Sequence, residues 1–303
     1  MKKKIAKKKP RCAKADEPVT LGSAAIGLAT RESFASNTHQ QTVHQLIMYR
    51  QIMVDVAAYV ERIGYSGPLA PDAETLREIH RAHLFAVPFE NLDIGWGNRI
   101  EVDEEKFFRK IVERRRGGFC YELNGAFAAL LRTLGFRVTL LSARVSRDDG
   151  SYGAEFDHLT LRVDLNQPWL ADVGFGDSFV DPLRLQVDLE QDQRVGQFRI
   201  VQAGEALRLE RRGADRRWKP EYMFTLEPRR LEEFKDMCHY HQTSPKSSFT
   251  QKRLCSRATA EGRVTLSDSN LVTTRDGSRE QRPLKSDAEW RTALADHFAI
   301  VAP

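Results

Sequence analysis

The chain has 303 residues, of which 41% are hydrophobic and 29% charged, a composition typical of a soluble globular protein. Its formal net charge is +5, but residues 1–14 contain eight basic side chains and no acidic one, so residues 15–303 carry a net charge of −3. This charge distribution argues against a nucleic-acid partner, and no apolar run approaches the roughly 18–20 residues that a membrane span needs.

The first 52 residues are predicted to be a disordered basic extension, because a block of like charges repels itself and stays solvated. No secretory signal is predicted, since no long apolar segment follows the basic residues. The four cysteines are few and far apart, unlike a disulfide framework. Together these features predict a cytoplasmic protein in a reducing compartment.

Four amphipathic helices are predicted after this extension, each with apolar residues repeating along one face. Aspartates can cap the second and third helices, and Gly64 supplies the left-handed residue that ends the first. The four helices are expected to begin near Met53, Asp72, Asp103 and Cys120.

The pattern changes to β-strands after the fourth helix. Three β-rich runs are predicted, over 136–145, 158–165 and 168–175. The short connection at 166–168 predicts that the second and third runs form a hairpin. Further short strands follow, then strands mixed with helices, and a last helix is predicted over 287–298.

These elements predict an α+β protein with three closely packed domains after the extension over 1–52. A helical domain is expected over 53–138, a β domain over 139–225 and a mixed α/β domain over 226–303.

The strongest candidate for chemistry is Cys120, in the segment RRRGGFCYELNG over 114–125. A thiol in the first turn of a helix lies near the positive end of the helix dipole and near unpaired N–H groups, and both favour the reactive thiolate. Gly117 and Gly118 are expected to let the backbone approach a reacting carbonyl group. The alternative is a buried structural cysteine, because free cysteine is among the most buried residue types.

A nucleophilic cysteine needs a base, and the base needs a group that orients it. His158 begins the second predicted strand, and Asp172 lies among apolar residues of the third. A buried carboxylate requires a partner, and the hairpin brings the two strands together. Each residue alone also fits a structural role, but the order Cys, His, Asp favours catalysis.

Two other groups of side chains resemble metal ligands only superficially. His80 and His83 lie three residues apart on a helix, and Cys238, His239 and His241 are close in sequence. Neither group has a second pair of ligands at the spacing of a structural zinc site, so no metal is predicted.

Several segments together resemble the arylamine N-acetyltransferase family. They are RGGFCYELNGAF, HRAHLFAVPFENLDI, FDHLTLRVDL and WLADVGFGDSF, which keep the order and approximate spacing of the family. The resemblance extends from about residue 53 to the C-terminus. It implies a helical domain, a β-barrel domain and an α/β lid domain around a Cys-His-Asp core like that of cysteine proteases.

The resemblance also implies a reaction. Cys120 corresponds to the nucleophile that accepts an acetyl group from acetyl-CoA, His158 to its base and Asp172 to the carboxylate that orients the imidazole. The acetyl group then passes to an arylamine, arylhydrazine or N-hydroxyarylamine in a ping-pong reaction typical of xenobiotic metabolism. The expected partners are these small molecules, and the protein is expected to be a monomer or a homodimer.

Other matching positions imply supporting roles. Glu90 and Arg116 resemble a pair that supports the site, and Asn124, one helical turn after the cysteine, is expected to stabilise the local geometry.

Two aromatic and two small residues match positions around the substrates. Phe89 and Phe175 correspond to the walls of the acceptor pocket, although both also fit an ordinary core. Gly174 and Gly176, with the loop over 150–157, lie where the acyl donor is expected.

Other activities fit the same pattern of residues. A related amide synthase or acyltransferase of secondary metabolism would take its acyl group from a carrier protein into a wider pocket. A thiol hydrolase or transglutaminase-like enzyme would use the same order of Cys, His and Asp.

Overall fold

The computed structural model describes residues 54–213 and 215–303. The predicted extension over 1–52 lies outside these residues, which belong to one compact unit. The three predicted domain limits remain a prediction. Within the described ranges, no helix is both long enough and apolar enough to cross a bilayer.

The helices of the described residues are α1 Val56–Ile63, α2 Ala73–Ala86, α3 Leu92–Gly95, α4 Glu104–Phe108, α5 Cys120–Thr133, α6 Lys235–Thr243, α7 Ser248–Gln251 and α8 Asp287–Phe298. A π-helical turn, Arg109–Glu113, directly follows α4, and a 3₁₀ turn, Leu231–Phe234, precedes α6.

The strands are β1 Phe89–Glu90, β2 Arg137–Val145, β3 His158–Asp164, β4 Pro168–Ala171, β5 Leu183–Arg184, β6 Gln191–Gln193, β7 Gly196–Ala203, β8 Ala206–Arg212, β9 Trp218–Phe224, β10 Leu254–Thr259, β11 Gly262–Ser267, β12 Asn270–Arg275 and β13 Ser278–Pro283.

The predicted helix signals act as expected. The carboxylate of Asp72 accepts a hydrogen bond from Thr75 N at 2.8 Å, and that of Asp103 accepts one from Lys106 N at 3.0 Å. Gly64 ends α1 with a φ angle of 67°, in the left-handed region. The helix predicted to begin at Cys120 begins there.

The larger sheet has eight antiparallel strands in the order β5-β4-β3-β2-β9-β8-β7-β6. It curls around a core that includes Leu141, Phe198 and Phe224, and its two edge strands approach each other. Two glutamines of β6 join these edges through hydrogen bonds to the backbone of the opposite side. The sheet is therefore a nearly closed barrel.

We call the two glutamines, Gln191 and Gln193, the glutamine seam. Gln193 accepts hydrogen bonds from Val180 N at 2.8 Å and Asp181 N at 3.0 Å, and donates one to Asp181 O at 2.7 Å. Gln191 accepts from Arg184 N at 2.8 Å and donates to Arg184 O at 3.1 Å. Side-chain amides thus replace the main-chain ladder at this junction.

The smaller sheet has five antiparallel strands in the order β1-β10-β11-β12-β13, and α8 packs on it through Trp290, Leu294 and Phe298. Strand β1 comes from the predicted helical region, 164 positions before its partner β10, and its two residues gave no strand pattern in the sequence. Phe89 and Glu90 therefore lie at the junction of the helical region and the C-terminal sheet.

The hairpin of β3 and β4 is confirmed, with Leu161 opposite Ala171. The third β-rich run is shorter than predicted, because β4 ends at Ala171 rather than at residue 175. Asp172 N donates to the ring of His80 instead of to a neighbouring strand, so the ladder stops there. Asp172 lies in the loop that follows the strand.

Candidate active site

The structure brings His158 and Asp172 together as a buried pair. His158 is the first residue of β3 and Asp172 follows β4, so the antiparallel hairpin places them side by side. His158 Nε2 lies 2.6 Å from Asp172 Oδ2, and each residue is only 2% exposed. Since Nε2 is engaged by the carboxylate, Nδ1 is the nitrogen left to act as a base.

Asp172 is held in its ionised form by several hydrogen bonds. Its Oδ1 accepts from Asn124 Nδ2 at 2.8 Å and from Gly174 N at 3.0 Å. Burial alone would raise its pKa, but the neighbouring His158 and these donors outweigh burial and keep the pKa below its usual value. The carboxylate is therefore available to orient and stabilise a protonated imidazole.

Asn124 joins the helix to this pair, as expected. Besides Asp172, its Nδ2 donates to Leu159 O at 2.6 Å, and its Oδ1 accepts from Val173 N at 2.9 Å. It is completely buried, and every one of these bonds crosses from α5 to the β3–β4 hairpin. Asn124 thus fixes the distance between the first turn of α5 and the two charged residues.

Cys120 is the first residue of α5 and is 3% exposed. The start of the helix packs on Gly174: a Cβ atom there would lie 2.9 Å from both Cα and O of Cys120. The segment that follows Asp172 therefore packs tightly against Cys120, the residue that carries the thiol.

The ionisation of the thiol differs from the expectation. Burial raises the pKa of Cys120 well above its usual value, and the carboxylates of Asp157 and Asp172 act in the same direction, although the backbone N–H of Leu159 opposes them. The helix start alone does not stabilise a thiolate here, because desolvation is the larger effect. Formation of a thiolate requires a base that accepts the proton and keeps a positive charge nearby.

Two aromatic residues surround the histidine. The ring of Phe175 meets the His158 ring edge-on, with 5.3 Å between centroids, and Tyr222 lies 5.3 Å from the same ring. Phe175 is partly buried, so it has a surface to offer to a ligand. Phe89 is nearly buried, and its ring packs against that of Phe249 with 6.2 Å between centroids. These contacts favour the alternative that Phe89 is an ordinary core residue.

Sequence reasoning missed the roles of Tyr222 and His80. His80 is fully buried, its Nε2 accepts from Asp172 N at 3.0 Å, and its Nδ1 lies 2.7 Å from Val180 O and so donates to it. Burial lowers the pKa of His80 to about 4, which keeps this ring neutral. Its position on an apolar helix face was the available signal, since a buried histidine needs polar partners.

Glu90 and Arg116, which the sequence predicts to support the site, form an ion pair. Glu90 is completely buried, and its Oε1 accepts from Arg116 Nε at 3.1 Å and from Nη2 at 2.7 Å. The pair belongs to a larger network that sequence reasoning missed. Asp93 Oδ1 lies 3.2 Å from Arg116 Nη2, and Lys110 Nζ lies 2.7 Å from Asp93 Oδ2 and 2.8 Å from Glu122 Oε1.

This buried network supports the start of α5. Glu122 Oε2 accepts from Phe119 N at 3.1 Å, and Lys110 reaches Glu122 from the π-helical turn. The network explains the two glycines before Cys120. A Cβ at Gly117 would lie 2.0 Å from Pro88 O, and one at Gly118 would lie 2.7 Å from Glu122 Oε2.

The glycines therefore make room for the protein's own chain; their approach to a substrate carbonyl stays a prediction. Gly174 similarly approaches α5. Gly176 has a φ angle of 96°, which favours glycine, and the Phe89 ring lies 3.4 Å from where its Cβ would be.

The residues that resembled metal ligands serve other purposes. His241 Nδ1 lies 3.2 Å from Ser247 Oγ, and Gln242 donates to Cys238 Sγ at 3.2 Å. Among the described residues, no group of three His, Cys, Asp or Glu side chains is arranged to hold a metal ion.

Comparison with known proteins identifies relatives over most of the chain. A family model described as N-acetyltransferase matches residues 72–302. The arylamine N-acetyltransferase of Mycolicibacterium smegmatis is 35% identical over 82% of this chain and 92% of that protein. Proansamycin X synthase of Amycolatopsis mediterranei is 33% identical over 80% of this chain and 95% of that protein.

Solved structures agree with these sequence matches. The arylamine N-acetyltransferase of Salmonella typhimurium aligns with a TM-score of 0.77 at 32% identity, covering 81% of this chain and 90% of that one. The Mycobacterium marinum enzyme in complex with CoA aligns with a TM-score of 0.76 at 32% identity, covering 81% and 93%.

Proposed function

The chain belongs to the arylamine N-acetyltransferase family, a family of acyltransferases, and we propose that it moves an acetyl group from acetyl-CoA to the amine of an arylamine, arylhydrazine or N-hydroxyarylamine through an acetyl-cysteine intermediate. The observation that carries the proposal is the buried pair of His158 and Asp172, 2.6 Å apart, together with the packing of the neighbouring Gly174 against Cys120 at the start of α5.

In the first half-reaction, His158 Nδ1 accepts the thiol proton of Cys120, and the sulfur attacks the carbonyl carbon of the thioester. The tetrahedral intermediate then expels the CoA thiolate, which accepts the proton from His158. The acetyl group stays bound to the sulfur of Cys120. The ionised Asp172 stabilises the imidazolium between these transfers. This requirement for a base agrees with the raised pKa of the buried thiol.

In the second half-reaction, the neutral amine attacks the acetyl-cysteine. His158 takes a proton from the attacking nitrogen and returns it to the departing sulfur, which restores the thiol. One residue serves both halves, so the kinetics are ping-pong. The first N–H group of α5, that of Cys120 itself, has no intrahelical acceptor and can donate to the oxyanion in both steps.

The aromatic residues suggest where the amine binds. Phe175 lies edge-on to His158 and is partly buried, so its free surface suits a flat aromatic amine. Phe89 lies behind Gly176 and would form the deeper wall. Water must be excluded from the acetyl-cysteine, and the near-complete burial of Cys120 supports that protection.

The experiment is to incubate the protein with acetyl-CoA, without an acceptor, and to measure its intact mass. We expect one acetyl adduct, absent in Cys120→Ala and lost from the wild type when an arylamine is added. Cys238→Ala is the matched control, because this cysteine is equally buried but lies outside the pair of charged residues. An adduct that persists in Cys120→Ala would refute the proposal.

A related acyltransferase activity of secondary metabolism is the second candidate, favoured by the match to Proansamycin X synthase over 95% of its length. In that case, Cys120 accepts a longer acyl chain from a carrier protein. The two are separated by comparing acetyl-CoA with a carrier-bound acyl thioester as donors. Acylation of Cys120 by the carrier-bound donor alone would favour the second candidate.

A further inference from the structure

A cavity of about 940 Å³ lies beside the loop that follows Asp172. It is bounded by the end of α2, the segment around 177–181, the turn of the β6–β7 hairpin, the end of β8 and two turns of the C-terminal sheet. Cys120, His158 and Phe175 do not line it. The proposed acetyl transfer has therefore given this cavity no role.

The cavity wall is rich in arginine. Its basic residues are Arg81, Arg194, Arg211, Arg212, Arg216 and Arg263, against the four acidic residues Asp177, Asp181, Glu261 and Asp276. The excess of arginine stands out because residues 15–303 as a whole are net negative. Guanidinium groups recognise phosphate through paired N–H donors.

Two of these arginines converge on a single oxygen atom. Arg263 Nε lies 3.2 Å from Asp177 Oδ1, and Arg211 Nη1 lies 3.5 Å from the same oxygen. The arginine side chains are 14% and 26% exposed, but Asp177 is 63% exposed. The two cations are thus fixed in the wall, and the carboxylate that they share is free to move into solvent. Arg211 Nη1 also lies 3.8 Å from Oε1 of Glu221, which is only 9% exposed and stays in place.

Other contacts hold the two arginines without Asp177. Arg263 Nη1 donates to Ser256 Oγ at 3.0 Å, and Arg211 Nη2 donates to Val195 O at 2.7 Å. Burial is the main cause that lowers the pKa of Arg263; Asp177 opposes this effect, and the neighbouring Arg211 adds to it. Such a pair favours an anion that contacts both guanidinium groups.

We propose that Arg211 and Arg263 bind a phosphate group of a pantetheine-bearing acyl donor, and that this phosphate displaces the carboxylate of Asp177. The inference rests on the proposed acyl transfer and adds the place of the donor's phosphate to it. Asp177 follows Phe175 by two residues, so a donor held there lies along the loop that follows Asp172 and carries Phe175, whose ring meets that of His158. The phosphate belongs either to CoA or to the phosphopantetheine arm of a carrier protein.

The first test is binding, which does not depend on catalysis. The probe is 3′,5′-ADP, titrated calorimetrically into the wild type and three variants. Arg263→Gln and Arg211→Gln should weaken binding by about tenfold, since each removes one charge-assisted contact. Arg137→Gln, which changes an exposed arginine at the start of β2 that does not line the cavity, is the matched control and should bind like the wild type.

A variant with the opposite expected effect guards against misfolding. Asp177→Asn removes the competing charge and should tighten binding of 3′,5′-ADP by a few fold, an effect that a damaged fold cannot produce. Unchanged or weaker binding in Asp177→Asn would overturn the proposal, as would equal affinities for Arg211→Gln, Arg263→Gln and the wild type.

The second test compares donors with and without phosphate. The KM for acetyl-CoA should rise about tenfold in Arg263→Gln, but the rate with S-acetyl-pantetheine, which has no phosphate, should not change. If both donors lose activity equally, the arginines do not bind phosphate. Two further measurements identify the source of the phosphate. If CoA is the donor, 3′,5′-ADP should inhibit acetyl transfer from acetyl-CoA. If the arm of a carrier protein is the donor, the rate with S-acetyl-4′-phosphopantetheine should fall in Arg263→Gln.

Failure of this proposal is distinguishable from failure of the proposed function. An acetyl adduct on Cys120 with no effect of the arginine variants leaves acetyl transfer intact and removes only the phosphate site. Binding of 3′,5′-ADP that depends on Arg263, without any acyl adduct on Cys120, would separate the phosphate site from the proposed chemistry.

Discussion

At the scale of single residues, the central feature is a thiol whose surroundings disfavour its reactive form. Burial raises the pKa of Cys120, and neighbouring carboxylates add to this effect. In the proposed mechanism, His158 is therefore more than a proton carrier, because its positive charge would stabilise a buried thiolate. Asp172, with its lowered pKa, completes the compensation.

The rate of alkylation by iodoacetamide should reveal this dependence. In the wild type, transfer of the proton to His158 should keep Cys120 reactive near neutral pH. In His158→Gln, the thiol keeps its raised pKa, so reactivity should begin only above pH 9, the usual value for the group. The pH profile of each protein is measured by the loss of free thiol at Cys120.

Two controls make the result interpretable. Cys238 and Cys255 are buried and have raised pKa values as well, and the chain also contains Cys12. A protein with these three cysteines replaced by alanine isolates the signal of Cys120. Identical pH profiles for the wild type and His158→Gln would show that His158 does not act on the thiol.

Some contacts of the candidate site could be predicted residue by residue, namely those of His158 with Asp172 and of Glu90 with Arg116. The catalytic roles of Cys120, His158 and Asp172 stay predictions. Lys110, Glu122, Tyr222 and His80 could not be predicted. Their roles depend on contacts across the fold, such as that of His80 with Asp172, 92 positions away.

At the scale of elements, a buried network of charged side chains supports the first turn of α5. The π-helical turn brings Lys110 to three carboxylates, those of Glu90, Asp93 and Glu122. The side chain of Lys110 is only 10% exposed. A π-turn shifts the following side chains around the helix axis. Here the shift aims a lysine at the helix that carries the nucleophile.

Replacement of this lysine tests the network. Lys110→Met should lower the free energy of unfolding by about 3–5 kcal/mol, because it leaves the buried carboxylate of Glu122 without its cation, whereas Glu90 and Asp93 keep Arg116. The double variant Lys110→Met with Glu122→Gln should recover part of that loss, since the glutamine still accepts from Phe119 N and carries no charge. Chemical denaturation measures both.

Lys106→Met is the matched control for that experiment. Lys106 pairs with Glu101 at 2.6 Å, but both side chains are about half exposed, so the loss should be under about 1 kcal/mol. If Lys110→Met is equally mild, the buried network does not support α5 as described.

The elements themselves were largely predictable where local signals exist. Asp72, Asp103 and Gly64 fix helix ends through contacts with their own neighbours. The end of β4 at Ala171 was not predictable, because it depends on the hydrogen bond of Asp172 N to the distant His80. The existence of β1 was not predictable, because it depends on pairing with the distant strand β10.

At the scale of the whole molecule, the barrel closes through side chains. The glutamine seam makes five hydrogen bonds to the backbone of residues 180, 181 and 184. The cavity with Arg211 and Arg263 lies on the same side, and Gln193 lines it. Closure of the barrel and the shape of the proposed phosphate site therefore depend on the same residues.

Hydrogen exchange can test this closure. In Gln193→Ala, the amides of Val180 and Asp181 lose their acceptor and should exchange faster by about tenfold or more, whereas amides of β3 and β4 should be unchanged. Gln197→Ala, which changes a glutamine outside the seam, is the control. Equal protection of both amides in all three proteins would show that the seam does not hold the edges.

The seam also bears on how such a barrel can vary. A main-chain ladder fixes the register of two strands along their whole length, but two side-chain amides fix only two points. The register of the two edges can therefore shift by changes at these two points, without breaking a continuous ladder. A sheet joined in this way can acquire a new loop at its edge, and with it a differently shaped cavity, by changes confined to a few positions.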